Sequence, residues 1–152
     1  MTDPERYMRQ ALDLARSALP AGDVPVGCVV VKDGRIVGRG YNRREADHDA
    51  LAHAECLAIQ DACRTLGGWN LHGCDLYVTL EPCPMCAGAI LNSRLRAVYY
   101  GARDDKAGAC GGVLNLFMEG FNHKPRIYGG VLAQECGALL CDFFHSLREN
   151  GG

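Results

Sequence analysis

The run Asp75-Leu76-Tyr77-Val78-Thr79-Leu80 passes directly into Glu81-Pro82-Cys83-Pro84-Met85-Cys86, and this junction decides the fold class. The first six residues suit a pleated, half-buried surface and predict a strand. Pro82 then opens a predicted helix that carries both cysteines and continues through Ala87 to Leu91. Working outward, a second helix is predicted from about His53 to Leu66, stopped at Gly67-Gly68. Further strands are predicted at Val26–Lys32 and Arg35–Tyr41, joined by the hairpin signal Asp33-Gly34. Two more follow at Arg96–Gly101 and Arg126–Val131, and a last helix at Ala133–Arg148.

At the N-terminus, Thr2 and Glu5 have capping-box spacing, and Tyr7, Met8, Ala11, Leu12, Ala15 and Leu19 make a one-sided apolar stripe. Asn42–Ala52 reads as a polar loop, and Gly101–Lys124 as irregular with one helical turn near Leu114–Met118. Strands alternating with helices predict an α/β domain with helices on the faces of a sheet, spanning residues 1–152.

Composition bounds the function. The 152 residues are 48% hydrophobic and 22% charged, as in a globular protein, with no apolar run of membrane-spanning length. The basic-then-apolar pattern of a secretory leader is missing at the N-terminus, and the nine cysteines are an odd number. Together these predict reduced thiols in a cytoplasmic protein. A net charge of −2 argues against a general nucleic-acid coating protein, so any RNA contact must be local. Arg35, Arg39, Arg43 and Arg44 form one basic stretch, and Arg94, Arg96, Arg103 and Lys106 another; solvated surface is the competing reading of both.

His53, Cys83 and Cys86 offer three ligands of the type Zn²⁺ prefers, which leaves a fourth position open as catalytic sites do. Glu55, two residues after the histidine, can move protons without occupying the metal. His-x-Glu with Pro-Cys-x-x-Cys downstream is the established signature of zinc nucleobase deaminases, and predicts attack of an activated water on an amidine carbon with loss of ammonia. A lone Cys-x-x-Cys is otherwise a structural zinc half-site or a redox pair, and any of Cys56, Cys63, Cys74, Cys110, Cys136 and Cys141 could close such a site. These six read as small buried hydrophobes. His48 and His123 fall in segments that could border the site, and Trp69 reads as a packing residue.

Pro25-Val26-Gly27, Tyr41-Asn42-Arg43, His48-Asp49, Ala52-His53-Ala54-Glu55, Leu76 to Cys83, Met85 to Ala89, Gly101-Ala102-Arg103-Asp104, Asn122-His123 and Asp142-Phe143-Phe144 occur in order. In these stretches, which span nearly the whole chain, the sequence resembles the bacterial tRNA-specific adenosine deaminases, of the TadA type. The resemblance implies a three-layer α/β/α cytidine-deaminase-like fold with a five-stranded mixed sheet, one Zn²⁺ per subunit and a homodimer. It implies conversion of the wobble adenosine of a tRNA anticodon to inosine, with an arginine tRNA bearing ACG as the expected partner. His53, Cys83 and Cys86 would hold zinc, and Glu55 would be the catalytic proton shuttle. Asn42, Val26 and the Ala54 backbone would meet the flipped nucleotide, and Arg103, Asp104 and Phe144 its neighbours. The sequence departs from the family pattern at Asp49-Ala50-Leu51-Ala52, at Lys124 and in its short, nearly non-basic tail. Two other readings fit the same residues: a deaminase of free guanine or cytidine, and an RNA-binding module with structural zinc.

Overall fold

The computed structural model describes residues 1–150. Helix α1 (Asp3–Arg16) starts at a complete capping box between Thr2 and Glu5, and a 3₁₀ turn at Leu19–Ala21 follows it. Strands β1 (Gly27–Lys32) and β2 (Arg35–Tyr41) form a hairpin whose turn holds Asp33 and Gly34 at φ 50° and 77°. Both turn residues are therefore in the left-handed region that an Asp-Gly turn supplies.

Helix α2 (Arg44–Asp47) lies where the sequence predicts only loop. Its cap comes from far upstream: buried Asp23 accepts hydrogen bonds from the Glu45 and Ala46 N–H groups at 2.8 and 3.2 Å. No local pattern announces a cap that is 22 residues away.

Helix α3 (Ala54–Leu66), β3 (Asp75–Leu80), α4 (Pro84–Asn92) and β4 (Ala97–Ala102) follow in order. After a 3₁₀ turn at Leu116–Met118 come β5 (Arg126–Tyr128) and α5 (Ala133–Glu149). β5 ends earlier than the sequence predicts. Gly129 sits against the Tyr100 ring, where an added Cβ would lie 2.4 Å from a ring carbon.

The sheet order is β2-β1-β3-β4-β5, with β1 antiparallel to both neighbours and β3, β4 and β5 parallel. Alternation along β1 divides the core: Cys28 and Val30 face α3 and α4, while Val29 and Val31 face α1 and α5. This is the three-layer arrangement expected. Glycines on β2 set how closely α3 approaches. A Cβ on Gly40 would stand 2.4 Å from the Ala54 carbonyl oxygen, and one on Gly38 2.3 Å from that of Ala58. The start of α3 is thereby pressed onto the sheet beside the start of α4.

Candidate active site

Two helix starts meet at this point. His53 is the N-cap of α3 and Cys83 the N-cap of α4, both with extended backbone. Cys83 therefore precedes the first turn that the sequence places it in, because Pro84, not Pro82, occupies the first helical position. Cys86 lies within that turn and is fully buried.

His53 Nδ1 is 3.6 Å from Cys83 Sγ and 3.5 Å from Cys86 Sγ, and all three ligand atoms lie within 4.8 Å of one another. Tetrahedral zinc with bonds of about 2.0–2.1 Å to nitrogen and 2.3 Å to sulfur puts these atoms about 3.6 Å apart. The donor set and its spacing fit Zn²⁺. Hydrogen bonds from Cys86 and His53 hold the Cys83 thiol down to about 4, while contact with Cys56 and Cys83 and burial push Cys86 up. A divalent cation is the natural partner for ionising both sulfurs. Cys56, read from sequence as a buried hydrophobe, is half-buried with its sulfur 3.8 Å from that of Cys86.

Glu55 stands one residue into α3 and is 4% exposed. Burial raises its carboxyl to about 7, opposed in part by a backbone hydrogen bond. It lines a cavity of about 210 Å³ together with Val26, Asn42, His53, Cys83 and Asp104. Val24, Arg44, Leu80, Glu81 and Ala107 complete the wall and were not singled out from sequence. Arg44 belongs to a basic stretch, which was the one signal available for it.

Val24, Leu80 and Asp104 are shared with a neighbouring groove of about 610 Å³ lined by Arg103, Lys106, Phe144 and Arg148. The expected substrate residues thus divide between an inner chamber and an outer groove. Asn42 is held at both ends of its amide: Nδ2 donates to the Val24 carbonyl at 3.1 Å, and Oδ1 accepts from Ala54 N–H at 2.9 Å. The Ala54 N–H is committed to Asn42, so any contact it makes with a substrate is shared with that bond. Asp104 Oδ1 accepts from the Lys106 and Ala107 N–H groups, and Arg103 pairs with Asp105 at 2.8 Å.

Neither His48 nor His123 lines the chamber. His48 is exposed at the end of α2, and His123 Nε2 lies 2.6 Å from the Leu95 carbonyl. Trp69, read from sequence as a packing residue in a loop, is 63% exposed with the Arg94 guanidinium over its ring.

Residues 1–102 match the family described as the cytidine and deoxycytidylate deaminase zinc-binding region. The tRNA-specific adenosine deaminase of Bacillus subtilis (strain 168) is 49% identical over 150 residues, covering 98% of this chain and 93% of that protein. The chain belongs to the tRNA-specific adenosine deaminase family. A solved structure from a study of A-to-I editing by tRNA:A34 deaminases superposes with a TM-score of 0.84 at 46% identity, over 89% of this chain and 99% of that one. The guanine deaminase of Bacillus subtilis is more distant, with a TM-score of 0.65 at 34% identity over 98% of this chain and 95% of that one. The five-stranded sheet and its flanking helices are those of the family's fold. The family's zinc, one ion per chain, finds a fitting donor set in the His–Cys–Cys trio.

Proposed function

We infer that the protein hydrolyses the wobble adenosine of a tRNA anticodon loop to inosine, releasing ammonia. One observation carries this reading: His53, Cys83 and the buried Glu55 line one chamber, which shares Val24, Leu80 and Asp104 with a groove bearing Arg103, Lys106, Phe144 and Arg148. The chamber is smaller than the roughly 300–1,000 Å³ of ordinary ligand pockets, which suits one base flipped out of a longer strand. Family membership and the closer match to the A34 deaminase than to the guanine deaminase support the same substrate.

His53, Cys83 and Cys86 would hold the zinc, which when bound would supply a water with its pKa lowered to about 7. Glu55 does the proton work. Its carboxylate takes one proton of the attacking water and delivers it to the ring nitrogen beside the reacting carbon; it then takes the second proton, from the hydroxyl now on that carbon, and passes it to the amino group, which leaves as ammonia as the C=O bond forms. A carboxyl poised near 7 can both accept and donate at neutral pH. Asn42, fixed through Val24 and Ala54, orients the nucleotide with its remaining amide hydrogen, and Val26 packs on the base. In the groove, Arg103, Asp104 and Phe144 meet the adjoining nucleotides, phosphate contacts setting position.

The expected RNA is an arginine tRNA with anticodon ACG, read by a homodimer of this one-domain chain in the cytoplasm. No helix among the described residues is long and apolar enough to cross a membrane. Exposed Val113, Leu114, Met118 and Phe121, close together in sequence, offer apolar surface for a second copy.

The test is incubation of zinc-loaded protein with that tRNA and assay of inosine at the wobble position, beside free guanine, cytidine and adenosine. Inosine at that site supports the reading. Ammonia from a free base with none in the tRNA would transfer the same chemistry to a small-molecule substrate.

A further inference from the structure

Glu81 is 2% exposed, lies two residues before a zinc ligand, and lines the chamber, yet it has no part in the chemistry described above. Its carboxylate is saturated by the loop that follows β4. Oε1 accepts from the Asp104 N–H at 3.0 Å, and Oε2 accepts from the Cys110 and Gly112 N–H groups at 2.9 and 2.8 Å. The flanking backbone adds two rungs. Glu81 N–H donates to the Ala102 carbonyl at 2.9 Å, and Ala109 N–H donates to the Pro82 carbonyl at 2.8 Å.

The loop is built around this carboxylate. A Cβ on Gly108 would stand 2.2 Å from Oε2, and one on Gly112 would stand 2.1 Å from the Asp104 carbonyl oxygen and 2.9 Å from Oε1. Glycine at both places is what allows a backbone to close on a buried acid. Charge-assisted bonds from backbone N–H groups are the strong kind, and three on one carboxylate leave it little freedom. None of these acceptor contacts reaches His53, Cys83 or Cys86.

We propose that Glu81 is a positioning residue for RNA recognition: it anchors the 104–112 loop, and through it sets Asp104, which lines both chamber and groove. The inference rests on the RNA-deaminase reading. It predicts that losing the anchor weakens engagement of the nucleotides beside the target and leaves zinc binding intact. Proximity to Cys83 alone would suggest the opposite, a role in holding the metal.

The experiment compares zinc-loaded wild type, Glu81→Gln, Asp104→Ala and the double variant on an anticodon stem–loop RNA. The amide of Gln turns a donor toward backbone N–H groups that need an acceptor, while keeping the shape of the side chain. For Glu81→Gln we expect one zinc per chain, KM raised about tenfold and kcat within about threefold of wild type. Hydrogen exchange at Asp104, Cys110 and Gly112 should quicken while β3 stays protected. Asp104→Ala should cost less in the Glu81→Gln background than in wild type, since one residue acts through the other. Gly108→Ala, which intrudes on the cage from the loop side, should reproduce the KM effect if Glu81→Gln folds poorly. Loss of zinc with a fall in kcat at unchanged KM would overturn the inference, as would fully additive effects of the two substitutions. A wild type that makes no inosine in the stem–loop would overturn the substrate reading, and this inference with it.

Discussion

Replacing Gly40 by alanine tests whether the contact between β2 and α3 sets the active site. The added Cβ would lie 2.4 Å from the Ala54 carbonyl oxygen and 2.7 Å from the Ala58 nitrogen. Both are backbone atoms, so no side-chain rotation relieves the overlap. Reaching an ordinary contact of about 3.4 Å requires the start of α3 to retreat by about 1 Å. That segment carries His53 and Glu55, whereas Cys83 and Cys86 belong to α4. The His53–sulfur separations of 3.5 and 3.6 Å now match tetrahedral zinc, and a 1 Å retreat takes them outside it. Overpacking of this kind costs about 1–3 kcal/mol, or roughly 2–12 °C in Tm for a chain of this size. Misplacing a catalytic group by about 1 Å costs on the order of 10²-fold in rate. The assays are thermal unfolding, zinc content by mass spectrometry and kcat/KM on the stem–loop RNA. Full zinc occupancy with wild-type kcat/KM would refute the claim that this contact sets the site.

Glu55→Gln should lower kcat by about 10²–10⁴-fold while zinc content and Tm hold, and a variant that keeps activity would remove Glu55 from proton transfer. Alkylation of the native protein should label exposed Cys141 first and spare Cys110 and Cys136, whose thiols burial pushes up to about 12; zinc chelation should add Cys83 to the labelled set, as peptide mapping would show. Asp23→Ala removes the acceptor for two α2 N–H groups and should cost about 1–2 kcal/mol in denaturant unfolding, with amide exchange quickened at Glu45 and Ala46. Gly137→Ala, in the interior of α5 with nothing within 4 Å of the new Cβ, should raise stability by up to about 1 kcal/mol; a lower Tm in thermal unfolding would refute this.

Much of the architecture was legible residue by residue. The Thr2–Glu5 capping box, the Asp33-Gly34 turn and the left-handed Gly67 ending α3 are local devices, and each occurs where its pattern stands. β2 and β3 have the bounds that the sequence predicts. The α4 start moved by a local choice between two prolines, but two other departures share one cause: the deciding partner was distant in sequence. α2 is capped by Asp23, and β5 ends before Gly129, which lies against the Tyr100 ring.

The sequence by itself determined the metal chemistry. Zinc ligands must be of particular types, and the local spacing of His53 with Glu55 and of Cys83 with Cys86 already carries the requirement. Only the tertiary structure decided the surroundings of that chemistry. It placed Cys56 against Cys86, committed the Ala54 N–H to Asn42, separated chamber from groove, and folded a loop from residues 104–112 around Glu81. The Asn42 and Glu81 hydrogen bonds among these contacts join residues up to 31 positions apart, with a side-chain oxygen accepting at one end and a backbone N–H, which every residue but proline carries, donating at the other, so the sequence does not show which N–H is chosen.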